Sequence, residues 1–371
     1  MIILWLAATS IYAVILLMLT VIWMRIESEE DQSKNKSVAV IIVFRNEEDQ
    51  LNALVESLAA IDYPEHLLNI IFVNDHSEDA SSLVLQEALI NFPFKHTIKE
   101  MSSSDFGKKT ALICAVETAK EELILTTDAD CLVPSNWVKD MQRPFENRNI
   151  KFVAGCVDYM PSKITHHLLR VELAALMGVT GASIELQKPS MANGANMCFR
   201  RADFQKIKPY DDNKHLSTGD DVFLLSNIVQ NYGARSIKFQ PKSLVLTRAP
   251  KSVSQFMHQR WRWASKWQVG KSFIQKLPII ILWLFHLFYA FSLIYCLFNQ
   301  LYFIVSIGLS IKLISEYLFI SRVYKILSQR LNIFGFLLLG IFYSFYVIFF
   351  GLTANFVSYK WKGRAYAKFN G

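Results

Sequence analysis

Four long apolar runs bracket a middle region in which short apolar runs alternate with polar turns. Residues 2–24 are almost wholly apolar and long enough to cross a bilayer. No Lys or Arg precedes them, whereas Arg25, Lys34 and Lys36 follow. That asymmetry predicts a retained anchor with its N-terminus outside and the next segment in the cytoplasm. A cleaved signal peptide is the alternative, but it would need a basic leading region and a small-residue cleavage site. The other runs, about 277–298, 301–321 and 333–356, are each long enough to span. Arg322, Lys325 and Arg330 form a basic loop between the last two, and the tail YKWKGRAYAKFNG is also basic. Three spans after a cytoplasmic domain place that tail outside, against its charge, unless one run is interfacial or re-entrant. Lys312 and Glu316 share one face of the middle run, and a self-neutralising pair is expected, with a polar lipid or sugar path as the alternative. His286 is expected to be a packed histidine.

The middle region reads as alternating strands and helices. Ser37–Phe44, SVAVIIVF, is a β-branched run suited to a central strand, followed by the turn Arg45-Asn46-Glu47-Glu48 and a helix over 49–60. Residues 69–73 form a second strand, ending in Asn74-Asp75-His76-Ser77. Ser77 or Asp79 is placed to cap the helix carrying Leu83, Leu85 and Leu89. A weaker strand is expected near 97–101, then Gly107-Lys108-Lys109 and a helix over 110–120. This spacing predicts βαβ units in an α/β, Rossmann-like, mostly parallel sheet with crossovers on both faces. Beyond Pro134 come a strand over 152–157, a helix over 163–185 and a tight turn at Asn193-Gly194-Ala195-Asn196. Thr218-Gly219-Asp220-Asp221 precedes a helix, and 236–239 and 244–247 read as two edge strands. The Trp- and Arg-rich stretch over 255–271 reads as a helix at a membrane surface. The expected division is an anchor over 1–25, an α/β domain over 26–250, an interfacial segment over 251–276 and a C-terminal membrane region over 277–371.

Composition agrees with this plan. The 371 residues are 52% hydrophobic with a mean hydropathy of +0.23, high for one soluble domain. The net charge of +7 sits beside the apolar runs, where anionic lipid headgroups explain it better than nucleic acid, for which no motif is present. The five cysteines show no C-x-x-C pair and read as reduced, inert thiols of a cytoplasmic part.

Chemistry concentrates at Glu121–Cys131, EELILTTDADC. An apolar strand delivers Asp128 and Asp130 to its C-terminal end, where open α/β sheets bind ligands. Alternation along extended backbone points both carboxylates the same way. Two hard oxygen donors suit a Mg2+ or Mn2+ ion that also holds a diphosphate, although Asp-x-Asp alone also occurs in solvated turns. Asp75 and Asp220-Asp221 give two further acidic sites, and Gln259-Arg260-Trp261-Arg262-Trp263 matches Q-x-x-R-W.

Together, in this order, the four motifs resemble the membrane-bound family 2 glycosyltransferases of GT-A fold. That group includes cellulose, hyaluronan and chitin synthases, poly-N-acetylglucosamine synthases and ceramide glucosyltransferase. The resemblance covers about residues 37–271. Two departures stand out: Asn74 precedes Asp75 where the family often has a second aspartate, and Asp220 stands where Glu is common. The resemblance implies that Asp75 binds the uridine of a nucleotide sugar and Lys108 approaches the diphosphate or base. Asp130 would ligate the metal, with Asp128 on the ribose or metal, and Asn193-Gly194 would lie against the donor sugar. Asp221 would be the general base with Asp220 as neighbour. Arg262 would stabilise the leaving diphosphate, Gln259 orient donor or acceptor, and Trp263 form the acceptor platform. The plainer readings are a helix cap at Asp75 and at Asp220-Asp221, an exposed lysine, a simple turn, and a generic aromatic-basic membrane anchor.

The implied activity is inverting transfer from a UDP-sugar, on the cytoplasmic face, to a lipid or growing glycan acceptor. A processive polysaccharide synthase is the alternative within that class, and envelope or export subunits are possible partners. A non-catalytic nucleotide-sugar-binding subunit is the alternative outside it.

Overall fold

The computed structural model describes residues 1–26, 34–161, 166–213, 219–265, 273–357, 359–361 and 364–366. Thr218, the first residues of the predicted 163–185 helix, the end of the 255–271 stretch, part of the 26–36 linker and most of the basic tail lie outside them. In chain order the elements are α1 (Ile2–Met24), β1 (Val38–Phe44), α2 (Leu51–Ala59), β2 (Leu68–Asn74), α3 (Ser81–Ala88) and β3 (Lys95–Glu100). Next come α4 (Lys108–Thr118), β4 (Leu123–Asp128), β5 (Cys131–Leu132), α5 (Trp137–Gln142), β6 (Phe152–Tyr159), α6 (His166–Glu185) and β7 (Met197–Arg200). Then follow α7 (Arg201–Ile207), α8 (Asp220–Tyr232), β8 (Ile237–Thr247), α9 (Val253–Ser265), α10 (Phe273–Phe298), α11 (Tyr302–Ile326), α12 (Ile333–Thr353) and the hairpin β9 (Tyr359–Trp361) and β10 (Arg364–Tyr366). The chain divides into a sheet unit, Ile26–Met160 with Thr180–Arg248, and a helical unit, Met1–Arg25 with Pro161–Val179 and Ala249–Gly371.

The sheet unit holds one eight-stranded sheet in the order β3-β2-β1-β4-β7-β6-β8-β5. Its first half is parallel throughout, with Val38 opposite both Leu68 and Leu123. β1 and β2 are buried along nearly their whole length, which is why they read as unbroken apolar runs rather than alternating ones. β3 carries Lys, His and Glu because it is the edge. Beyond β4 the sheet is mixed: β7 runs antiparallel to β4 and β6, while β6 and β8 are parallel.

The two edge strands expected over 236–239 and 244–247 are a single strand, β8, paired on one side with β6 and on the other with β5. Gly155 faces Gln240 and Cys156 faces Leu244, so residues 241–243 bulge out of the ladder. Pro241, which has no N–H to give, is tolerated inside an inner strand because it falls in that bulge. Parallel pairing of β1, β2 and β4 sets Phe44 opposite Asn74 and Val43 opposite Asp128. The loops after all three strands therefore leave from the same edge of the sheet.

Among the described residues five helices are long and apolar enough to cross a membrane: α1, α6, α11, α12 and the 276–298 part of α10. Four of these correspond to the long apolar runs; α6, which falls in the helix expected over 163–185, is the fifth. Ile3, Met18, Phe291, Phe303, Phe334 and Phe342 present large apolar side chains outward, a surface suited to lipid rather than water. Within the helical unit, α1 meets α11 where the Trp5 ring lies over Gly308; a Cβ there would stand 2.5 Å from the ring. Lys312, fully buried, donates to Glu316 at 2.9 Å and to the Gly340 carbonyl at 2.7 Å, and Tyr12 donates to Glu316 at 2.9 Å. The pair is closed on itself, as expected. His286 is likewise packed, its Nδ1 3.0 Å from the Ser344 hydroxyl.

Candidate active site

The loops after β1 and β2 interlock. Arg45 donates to the Asp75 carbonyl at 2.9 Å, also to the His76 carbonyl, and to Glu78 at 2.7 Å. Asn46 accepts from the Glu78 N–H at 2.8 Å, and Glu48 from the Ala80 N–H at 2.8 Å. Asn46 and His76 adopt left-handed backbone, at φ 52 and 60°, to make the exchange. The expected cap is used differently: α3 starts at Ser81, whose N–H donates to Asp79 at 3.0 Å, while the Ser77 hydroxyl accepts from Asn46 at 3.1 Å. Burial raises the Asp79 carboxyl, but hydrogen bonds from the Ser81 hydroxyl and then from the N–H groups of Ser81 and Glu48 outweigh it and hold the group below the usual carboxylate range.

Asp75 is buried at the end of β2, and the Gly107 N–H lies 3.3 and 3.2 Å from its two carboxylate oxygens. The next residue, Lys108, reaches the other two acidic sites: its Nζ is 2.6 Å from Asp128 Oδ1 and 3.2 Å from Asp220 Oδ2. Burial opposes the ammonium charge, but the Asp128 and Asp220 carboxylates outweigh it and hold the lysine above its ordinary value. Gly107 and Lys108 thus gather three acidic sites that the sequence scatters over residues 75–220. Asp128 ends β4, and Asp130 lies in the turn beyond it. Burial first, then Asp130 and Asp128, push the thiol of Cys131, one residue further, well above its ordinary range.

The Asn193-Gly194 turn completes this group. The Asn193 side chain accepts from the Ala195 N–H at 3.0 Å, and Thr126 of β4 donates to the Gly194 carbonyl at 2.8 Å. A Cβ at Gly194 would stand 2.6 Å from Asp220 Oδ2 and 3.1 Å from Lys108 Nζ. Asn196, fully buried, clamps the turn: it donates to the Cys156 and Ser243 carbonyls at 2.8 and 2.7 Å and accepts from Trp137 at 2.9 Å. Sequence reading named neither Thr126 nor Asn196 as a site residue; the available signal was a polar residue at the foot of a buried strand. Asp220 and Asp221 open α8, behind Gly219 in left-handed backbone at φ 87°. Asp221 is buried, and Tyr210 donates to the Asp220 carbonyl at 2.9 Å.

Asp75, Lys108, Asp128, Asp130, Asn193, Gly194, Asp220 and Asp221 all belong to the sheet unit, while Gln259, Arg262 and Trp263 lie on α9 of the helical unit. On α9 it is Arg260 that is buried, stacked 4.3 Å from the Trp263 ring and paired with Glu172 at 2.6 Å. Trp261 donates to Thr353 at 2.9 Å.

The acidic group fits a hard divalent cation. Its acidic donors are all carboxylate oxygens, and Gly194, which has no Cβ, lets the ends of Asp220 and Lys108 lie directly against the turn. Among the described residues no group of three or more His, Cys, Asp or Glu is placed to hold a metal ion by itself. A cation here would draw further ligands from water and substrate phosphate, the habit of Mg2+.

Residues 39–208 match the family model described as Glycosyl transferase family 2. The probable glycosyltransferase YdaM of Bacillus subtilis (strain 168) is 24% identical over 277 residues, covering 72% of this chain and 65% of that relative. An undecaprenyl-phosphate 4-deoxy-4-formamido-L-arabinose transferase of Pectobacterium carotovorum subsp. carotovorum (strain PC1) is 35% identical over 100 residues, 27% of this chain and 30% of the relative. The chain thus spans less than two thirds of the length of these curated relatives. Among solved structures, mannosyltransferase PcManGT from Pyrobaculum calidifontis, in complex with GDP-Man and Mn2+, superposes with a TM-score of 0.56 at 15% identity. The match covers 95% of this chain and 99% of that one. At such identity the likeness is one of fold, and that fold is GT-A.

Proposed function

We propose that this chain, which carries a glycosyltransferase family 2 domain over residues 39–208, is a membrane-bound, inverting hexosyltransferase that moves a sugar from a UDP-sugar to a lipid or growing glycan acceptor. The observation that carries this is the gathering of Asp75, Asp128 and Asp220 at one sheet edge by Gly107 and Lys108. A nucleotide sugar needs three functions side by side: a nucleoside acceptor group at Asp75, a diphosphate and metal group at Asp128, and a base, which this reading places at Asp221, next to Asp220.

In this reading Asp75 accepts from the uridine, and Lys108 meets the diphosphate. Asp130 and Asp128 hold Mg2+ or Mn2+, which when bound offsets charge on the leaving diphosphate. The Mn2+ in the PcManGT complex supports a divalent cation. Asn193 and Gly194 lie against the donor sugar, where the absence of a Cβ permits close approach. Asp221, with Asp220 beside it, takes the proton of the acceptor hydroxyl as that oxygen attacks the anomeric carbon. Attack from the face opposite the leaving group inverts the configuration, so an α-linked donor yields a β-linkage. On motif grounds Arg262 steadies the leaving diphosphate, Gln259 orients donor or acceptor, and Trp263 is the acceptor platform.

The name of the undecaprenyl-phosphate relative supports a lipid-linked acceptor. The charge asymmetry around residues 2–24 supports a cytoplasmic site, and the motif order supports the division into anchor, GT-A domain, interfacial segment and C-terminal membrane region. The test is UDP release by full-length, detergent-solubilised protein across a panel of UDP-sugars with Mg2+ or Mn2+ and added membrane lipids. Turnover with one donor establishes the activity, and product length separates single transfer from polymer synthesis. UDP binding with no turnover under any of these conditions would favour the non-catalytic subunit instead.

A further inference from the structure

Lys108 places one positive charge between two carboxylates that arrive from different elements, 2.6 Å from Asp128 and 3.2 Å from Asp220. The arrangement is tight. The lysine and Asp220 side chains are only 16% and 13% exposed, and the bare Gly194 face lies flush against both. A divalent cation joining Asp128 would stand within a few ångströms of that ammonium, and repulsion between like charges in a partly buried site is far larger than in water. The cost disappears if another anion takes the ammonium over. A nucleotide diphosphate is such an anion. Lys108 reaches both carboxylates by its long side chain from the first position of α4, so the ammonium can change partner by rotation about side-chain bonds while the backbone stays in place.

We propose that Lys108 is a resident counter-ion that sets the binding order, held between Asp128 and Asp220 and competing with the divalent cation for Asp128 until a nucleotide diphosphate draws its ammonium away. The inference rests on the proposed reading of Asp128 as a metal-side carboxylate and adds a role for the lysine in the ligand-free protein. Metal and nucleotide are then coupled ligands, and by reciprocity each raises the affinity of the other by the same factor.

The experiment is Mn2+ binding followed by electron paramagnetic resonance on the full-length protein in detergent, with and without UDP. Wild type is compared with Lys108→Met, Lys108→Gln and Lys108→Arg. Glutamine can still donate to one carboxylate and so keeps the test open should the methionine variant fail to fold. Without UDP, the methionine and glutamine variants are expected to bind Mn2+ about tenfold or more tighter than wild type, within the usual range of coupling between sites. The arginine variant stays near wild type, and the enhancement by UDP shrinks in the two neutral variants. Equal UDP-free affinity in wild type and the neutral variants overturns the inference while leaving the proposed function standing. Absence of Mn2+ binding to wild type even with UDP overturns the metal site itself.

Discussion

Arg260 and Glu172, distant in sequence, form an ion pair at 2.6 Å with side chains 3% and 8% exposed. Tyr346 donates to the other Glu172 oxygen at 2.6 Å, and the Phe256 and Trp263 rings lie 4.9 and 4.3 Å from the guanidinium. The pair ties α9 to α6 and α12 within the helical unit. Removing one partner strands a buried charge, a loss of roughly 3–5 kcal/mol in comparable cases. Arg260→Ala or Glu172→Ala should therefore lower the melting temperature in detergent sharply, whereas Arg260→Met with Glu172→Leu should recover much of it. Single variants that melt with wild type would remove the pair from the stability argument.

Asp221 carries the chemical step in the proposed function and nothing in donor binding. Asp221→Asn keeps the side chain's size and its place near the N-terminus of α8, where Oδ1 accepts from the Val222 N–H at 2.8 Å. UDP-release turnover should fall by about 10²–10⁴-fold, the usual worth of a positioned base, with UDP affinity nearly unchanged. A variant that turns over within a few-fold of wild type shifts the base elsewhere, with Asp220 the first alternative to test.

The central strands were legible because both their faces are buried: SVAVIIVF and EELILTTDADC leave no doubt about strand or exit edge. The site residues at those exits were legible for the same reason, since register alone brings Asp75 and Asp128 to one edge. β8 was misread because Pro241-Lys242 looks like a break, and only the neighbouring strand shows that it is a bulge. α6 was undervalued because Arg170 and Glu172 interrupt its apolar pattern, and Glu172 finds its partner only through tertiary contact. Arg260 and Arg262 are two positions apart, about 200° around a helix, so one turns inward. Sequence cannot say which, and the motif drew attention to the other one.

The interlocked loops after β1 and β2 should be acid-sensitive through Asp79. Its folded pKa is depressed, so its contribution is present above the unfolded value of about 3.9 and is lost as pH falls through the folded value. Asp79→Asn should destabilise by about 0.5–1.5 kcal/mol near neutral pH, the usual net worth of such a hydrogen bond. The gap between wild type and variant should hold down to about pH 4 and close below it. Melting curves from pH 3 to 8 decide the point, and a gap that persists at the acid end would mean the carboxylate charge is not what matters.

Two glycines beside Lys108 should fail in different ways when given a methyl group. At Gly194 the added carbon meets the ends of Asp220 and Lys108, 2.6 and 3.1 Å away, and those ends can move. Gly194→Ala should therefore melt within about 1 kcal/mol of wild type, as compliant side chains absorb the crowding, yet release UDP much more slowly. At Gly107 there is open space, but φ 92° with ψ 157° is a backbone region that other residues enter at a cost of about 1–3 kcal/mol. Gly107→Ala should relax that backbone and carry its N–H away from Asp75, so the loss should fall on UDP affinity. Calorimetric titration with UDP separates the two. Equal loss of UDP affinity in both variants would mean that the 107–108 loop and the 193–194 turn act on the nucleotide as one surface.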